Sequence, residues 1–177
     1  MFPINNLQFY KGETKTMAGK NIMTRAGLQQ LEDELHDLKV NQRREVAQKI
    51  KEAREQGDLS ENAEYDAAKD EQRDIETRIE EIEKILKNLD EVIDEEEVNS
   101  DTINIGCKVG VLDMEYNEEM TFSIVGSNEA SSRKKKISNE SPVGKALIGA
   151  RVGDIVTVES MAGEIQYKVL SIERNIG

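Results

Sequence analysis

The sequence predicts an α+β fold in two parts: a long antiparallel helical coiled-coil hairpin, then a small β-rich domain. Three observations carry this. Two apolar stripes at helical spacing, each near the length of a long helix, meet at a glycine with only a few residues between them. An acidic run closes the second stripe. From Ile103 onward the pattern changes to β-branched alternation punctuated by glycine and asparagine.

The first stripe starts near Thr24. Leu28, Leu31, Leu35 and Leu38 recur at steps of three and four, and Val46, Ile50 and Ala53 resume the stripe after a polar interval around Asn41 to Arg44. Gly57 supplies the stop, because glycine accepts the left-handed conformation after a last helical turn. The second stripe is Tyr65, Ala68, Gln72, Ile75, Ile79, Ile82, Leu86 and Leu89, a coiled-coil seam with Gln72 as its polar member. So short a connection makes the helices antiparallel neighbours. At about thirty residues each and about 1.5 Å per residue, the hairpin reaches roughly 45 Å. A lone pair of helices buries little, so its base needs an anchor.

The acidic run Asp94 to Glu97 and the polar Asn99-Ser100-Asp101 are expected to lead out of the hairpin. The expected division is a flexible extension over 1–22, the hairpin over 23–97 with its tip at 57–62, a linker over 98–103, and the second domain over 104–177. Strands are expected over Cys107 to Met114, Thr121 to Val125, Asp154 to Ser160 and Glu164 to Glu173. Between them Ser141-Pro142 opens a short helix through Ala146 and Leu147, with Pro at the first helical position and Gly149 as the stop.

Composition narrows the function. With 37% apolar and 34% charged residues, an elongated shape is expected over one large core. Only 4% of residues are aromatic, which argues against a ring-lined ligand pocket. The net charge of −12 disfavours binding a nucleic-acid backbone with the whole surface. From Lys20 to Glu97, 24 acids face 13 bases, against 11 and 9 beyond, so the hairpin carries the acid. The single cysteine, Cys107, excludes an internal disulfide and fits a reducing cytoplasm; Ile105, Val109 and Val111 around it mark a strand residue. The single histidine, His36, lies among charges on a helix, which excludes a His-rich metal site. Residues Met1 to Lys20 lack the apolar core of a signal peptide, and no stretch has the length of a membrane span. A cytoplasmic location without membrane contact is expected, with Met17 and Met23 as alternative initiation points.

The tip, Gly57-Asp58-Leu59-Ser60-Glu61-Asn62, has two open readings. Asp58 and Glu61 have capping-box spacing, and Ser60 is a competing N-cap. Acids in a first turn also suit the helix dipole. Alternatively, two carboxylates three residues apart, at the end of a rigid rod, can be delivered into a narrow cavity. Mg2+ commonly takes one or two protein carboxylates, with water and phosphate completing its octahedron. Two acids cannot hold it firmly alone, but they can complete a site that another protein half builds, as in two-metal phosphoryl chemistry.

The residues that carry these readings resemble a known family. Met23-Thr24-Arg25-Ala26-Gly27-Leu28, the stretch from Glu52-Ala53-Arg54 through the tip to Ala63-Glu64-Tyr65, and Ser141-Pro142-Val143-Gly144-Lys145-Ala146-Leu147-Ile148-Gly149 with Val152-Gly153-Asp154 are similar to the bacterial Gre transcript cleavage factors, the GreA-type branch in particular. The similarity runs from about Met23 to the end. It implies an FKBP-like second domain that docks on the rim of the RNA polymerase secondary channel while the coiled coil enters it. It implies that Asp58 and Glu61 help hold the polymerase's second Mg2+, which stimulates hydrolysis of the 3′ end of a backtracked nascent RNA. On this reading the protein is not itself an enzyme, binds no Mg2+ tightly when free, and is expected to be a monomer. Gly57, Ser60, Asn62 and Tyr65 would support the tip.

Other positions keep two readings. Arg43, Arg44, Lys49, Lys51 and Arg54 either pair with the second helix or, as in the family's basic patch, hold RNA; Arg43, Arg44 and Arg54 are the candidates for contact. Tyr65 either packs under the tip or meets the transcript. The run Arg133-Lys134-Lys135-Lys136 is a solvated loop or a docking contact. Tyr116, Phe122 and Tyr167 are too few rings for a prolyl isomerase pocket. The rival within the family is a secondary-channel regulator or inhibitor that blocks without stimulating cleavage; such relatives carry a denser acid cluster, whereas Leu59 and Ser60 separate the two acids here. A structural adaptor would need an exposed apolar stripe, and a self-sufficient hydrolase would need more ligands.

Overall fold

The structure is a computed structural model and describes residues 20–55, 63–161 and 163–176. The chain enters through a short strand β1 (Ile22–Thr24) and turns directly into helix α1 (Arg25–Asp37). A π-helical stretch, Leu38–Gln42, leads into α2 (Arg43–Glu55), and α3 (Ala63–Lys87) returns alongside. Strand β2 (Glu91–Ile93) then pairs in parallel with β1 and closes the base of the hairpin.

The polar interval in the first stripe has a structural cause. Leu38 and Val46 both face α3, yet they are eight residues apart, one more than a heptad. An uninterrupted helix would carry Val46 off the seam. The π-helical stretch absorbs the extra residue, as a π-bulge does. Its end is tied by Asn41 and Gln42, whose amides donate to the two oxygens of Asp37 at 2.6 and 2.8 Å. Those bonds hold the Asp37 carboxyl below its ordinary range. Beyond it Val46 and Ile50 share one cluster with Ala68, Ile75, Ile79 and Ile82 of α3, and Ala53 is buried as well.

Charges flank this seam. Arg78 bridges to Glu34, Lys39 to Glu83, Arg43 to Glu76 and Lys49 to Glu71, each joining the two arms of the hairpin. Exposed pairs of this kind add little energy singly, about 0–1 kcal/mol. Spread along the arms, they favour one antiparallel register over its neighbours.

The second part is a five-stranded sheet in the order β5-β4-β3-β7-β6. Its members are β3 (Cys107–Asp113), β4 (Glu118–Val125), β5 (Lys136–Ser138), β6 (Ile155–Ser160) and β7 (Gly163–Arg174). Alternation makes β3 its centre: Cys107, Val109 and Val111 all point into the core. Asp113 ends the strand and accepts the amides of Glu115 and Tyr116 at 2.9 and 3.1 Å, which shapes the turn into β4. Helix α4 (Pro142–Leu147) starts as its sequence indicates, with Ser141 Oγ accepting the Gly144 amide at 3.0 Å, and buries Leu147. Phe122 and Tyr167 meet edge to face at 6.3 Å within the sheet layer. This is an α+β molecule with an N-terminal helical hairpin, as the sequence indicates.

Three boundaries differ from expectation. Helix α3 stops at Lys87, well before the acidic run, because Asp90 and the chain after it turn back to bond Asn21 and pair with β1. At 25 residues it is about 37 Å long. The extension expected over 1–22 ends sooner: Ile22 is 2% exposed and belongs to the core of the sheet. The linker expected over 98–103 also contributes to that core, through Val98 and Ile103, and Arg174 donates to the Val98 carbonyl at 2.9 Å. Short polar spacing hid these residues, since two- and three-residue apolar runs carry no period. Among the described residues no helix is long and apolar enough to cross a membrane.

Ile82, fully buried in the seam, is expected to lose about 2–5 kcal/mol of stability on Ile82→Ala. Val40→Ala, at an exposed position of the opposite arm, should stay within about 0.5 kcal/mol. Denaturant unfolding followed by helix circular dichroism checks both.

Candidate functional site

The tip residues Gly57, Asp58, Ser60, Glu61 and Asn62 lie outside the described residues, and so does the capping reading of Asp58. The structure places what brackets them. Helix α2 ends at Glu55 and α3 begins at Ala63, and both of these helix ends lie remote from the sheet. Just below, Arg54 from α2 reaches across to Tyr65 of α3. Its guanidinium carbon stands 5.7 Å from the ring centroid, and one nitrogen is 3.5 Å from the phenol oxygen. That contact lowers the Tyr65 pKa, because the cation favours the phenolate. Tyr65 is half-buried and packs against the seam cluster that includes Ala68. Arg54 and Tyr65 therefore form the neck of the tip.

The basic candidates separate in the structure. Arg43 is held in a two-pronged contact with Glu76, at 2.8 and 2.5 Å. The guanidinium holds the Glu76 carboxyl below its ordinary range, and the carboxylate raises Arg43 in turn. Lys49 lies 2.7 Å from Glu71, and Lys51 is 3.9 Å from Glu55 on its own helix. Arg44 is exposed and has no ion-pair or hydrogen-bond partner among the described residues. Pairing thus occupies most of the basic patch and leaves Arg44 available. Between β4 and β5, Arg133 and Lys134 form an exposed 3-10 turn, with Lys135 in the left-handed region at φ 53°.

The base of the hairpin holds a contact that sequence reasoning missed. Thr24 is 2% exposed and is the N-cap of α1, its side chain accepting the Gly27 amide at 3.0 Å. The carboxylate of Glu129, from the loop after β4, accepts the Thr24 amide at 2.8 Å and the Thr24 hydroxyl. Glu95, itself buried, accepts the Ala26 amide at 3.3 Å, and Arg25 pairs with Asp94 at 2.8 Å. One signal was readable: Thr24 begins a capping box whose fourth position, Gly27, has no side chain.

Among the described residues no group of three or more His, Cys, Asp or Glu could hold a metal ion. Burial raises the Cys107 thiol pKa, consistent with a packed strand residue.

The fold defines the class: a charged two-helix hairpin closed at its base against a small five-stranded sheet. Residues 21–90 match the family described as transcription elongation factor, N-terminal, and residues 98–174 match the GreA/GreB C-terminal family. The chain belongs to the GreA/GreB family of transcription elongation factors. It is 69% identical over 156 residues to the transcription elongation factor GreA of Lachnoclostridium phytofermentans, covering 88% of this chain and 97% of that one. It is 56% identical over 153 residues to the GreA of Acetivibrio thermocellus, covering 86% and 96%. Among solved structures, GreA factor homolog 1 of Thermus thermophilus is 30% identical, covers 87% of this chain and 99% of its own, and superposes with a TM-score of 0.39.

The Arg43–Glu76 pair predicts a pH dependence. Because the folded Glu76 pKa is lowered, the pair contributes above the ordinary carboxylate range and its contribution is lost as pH falls through the lowered value. In an NMR titration Glu76 should protonate at lower pH than an isolated glutamate, and Arg43→Ala should return it to the ordinary range.

Proposed function

We propose that this protein enters the secondary channel of RNA polymerase with its hairpin and stimulates the polymerase's own cleavage of backtracked nascent RNA. The observation that carries the reading is the tip sequence, which keeps Asp58 and Glu61 at the turn of a two-arm rod, in a chain of this family. Rod length supports it: α3 alone spans about 37 Å, enough for a side chain at the turn to act far from where the sheet rests.

In this reading the protein is not an enzyme by itself, and the reacting atoms belong to the polymerase and its transcript. Asp58 and Glu61 are hard oxygen donors, which suit Mg2+, and they are too few to hold it without a partner. Such an ion, when bound there, would polarise an attacking water and stabilise charge on phosphate. The chain's own residues do the rest. Asp58 and Glu61 add negative charge beside the polymerase's site and accept hydrogen bonds from water. Arg54, stacked on Tyr65, sets a positive charge just behind the tip, where an RNA phosphate can pair with it. Arg44, which has no ion pair among the described residues, supplies a second phosphate contact further down the rod. The sheet domain stays outside the channel and docks on its rim, and the factor acts as a monomer in the cytoplasm.

Asp58→Ala and Glu61→Ala are each expected to lower cleavage of a stalled complex by about tenfold or more at equal polymerase binding. Asp58→Asn separates the two readings of the tip, because asparagine caps a helix as well as aspartate but lacks its charge. Loss of cleavage in Asp58→Asn supports charge delivery, and full cleavage there would leave only a cap. Full binding with no cleavage by the unmodified protein would favour the channel-blocking alternative. For the basic patch, Arg44→Ala should impair cleavage of longer backtracked RNAs more than Arg43→Ala, since Arg43 is already engaged by Glu76. Equal effects of the two substitutions would contradict this order.

A further inference from the structure

We propose that Glu129 is a positioning residue: it caps the hairpin's first helix from the sheet and thereby fixes the direction in which the hairpin leaves the sheet. The inference rests on the function proposed above and deepens it. In a capping box the N-cap hydroxyl accepts the amide three residues on, and a glutamate at that position reaches back to the N-cap amide. Here the first half is present, with the Gly27 amide donating to Thr24 Oγ1 at 3.0 Å. The second half cannot be local, because the position is glycine. Glu129 supplies it from 105 positions along the chain, Oε2 accepting the Thr24 amide at 2.8 Å and Oε1 accepting the Thr24 hydroxyl.

The glycines show that the exchange is built into the fold. A Cβ on Gly27 would lie 2.0 Å from Glu129 Oε1 and 2.3 Å from its Cδ, and all three nearest atoms belong to that side chain. On the other side, a Cβ on Gly126 would lie 1.8 Å from the Ile22 carbonyl oxygen, so the loop after β4 presses directly on β1. A local glutamate at position 27 would cap the helix without touching the sheet. The tertiary version caps it and ties it down.

Direction is what the tie adds. Ile22 already buries itself in the sheet's core, but apolar burial has no preferred orientation. Two hydrogen bonds to one carboxylate do have one, and an anion at a helix N-terminus is further favoured by the dipole. Among the described residues, the hydrogen bonds between the first helix and the sheet are those of Glu129; Asp94 and Glu95 tie the helix to the segment after β2 instead. Over the roughly 37 Å of α3 a pivot of about 5° at the base displaces the far end by about 3 Å. Misplacing a reacting group by about 1 Å can cost about a hundredfold in rate.

The test compares the unmodified protein, Glu129→Ala, and Glu129→Ala combined with Gly27→Glu. The combined variant is designed to restore a local cap: the three atoms nearest a Cβ at position 27 all belong to the Glu129 side chain that it removes. Nitroxides at Ala47 on α2 and Lys168 on β7, both exposed, report the hairpin-to-sheet distance in the free protein; buried Cys107 does not take a label. In Glu129→Ala the distance distribution should widen about twofold once the directional bonds are gone. Maximal cleavage at saturating factor should fall about tenfold. The combined variant should regain helix stability while both defects persist. A distribution as narrow as in the unmodified protein, or cleavage recovered together with the cap, would overturn the proposal and leave Glu129 as a helix cap. Should Glu129→Ala not fold, Glu129→Gln, which keeps one acceptor, should give an intermediate width, and an unchanged width would overturn the proposal equally. Absence of cleavage with the unmodified protein would count against the proposed function alone, because the distances are read without polymerase.

Discussion

Everything in this molecule depends on how the base of a two-helix hairpin is held. Two helices sharing one narrow seam bury too little to fix their own place on a neighbour. The chain solves this at Thr24. That residue ends β1, caps α1 and donates twice to Glu129, while Ile22 two positions earlier sits in the core of the sheet. Strand β2 then pairs with β1, so both ends of the hairpin close at the same place. The helices and the seam extend from that joint.

Along the arms, the design is a compromise between charge and contact. A strongly acidic hairpin repels itself, and cross-arm pairs such as Arg78–Glu34, Lys39–Glu83 and Lys49–Glu71 offset part of that repulsion locally. The pairing uses up cations. Arg43 is engaged, Arg44 is left over, and Arg54 stacks on Tyr65 beside the tip. Of the basic candidates on the first arm, Arg44 and Arg54 thus stand at two heights, both without an ion pair among the described residues.

Much of this was legible in the sequence because it is periodic. The seam from Ala68 to Ile82 and the central strand with Cys107, Val109 and Val111 repeat at the spacing their structure requires, and the short helix is marked by its Ser141-Pro142 start. What was not legible is non-periodic or distant. Strands β1 and β2 are too short to show alternation, and Val98 and Ile103 sit singly among polar residues. The one-residue excess between Leu38 and Val46 showed as a polar interval, but its resolution as a π-helical stretch depends on where α3 lies. Glu129 was invisible because its partner is 105 positions away. The tip itself was read from sequence, through the spacing of Asp58 and Glu61 and the family they resemble.

The central claim is that this protein provokes a reaction in another machine's active site. The most direct measurement adds the purified protein and Mg2+ to a backtracked transcription complex, and in parallel to the same RNA without polymerase. The account predicts short 3′ RNA fragments in the first mixture and intact RNA in the second. Fragments from RNA alone, or an unchanged transcript in the complex to which the protein is bound, would contradict it.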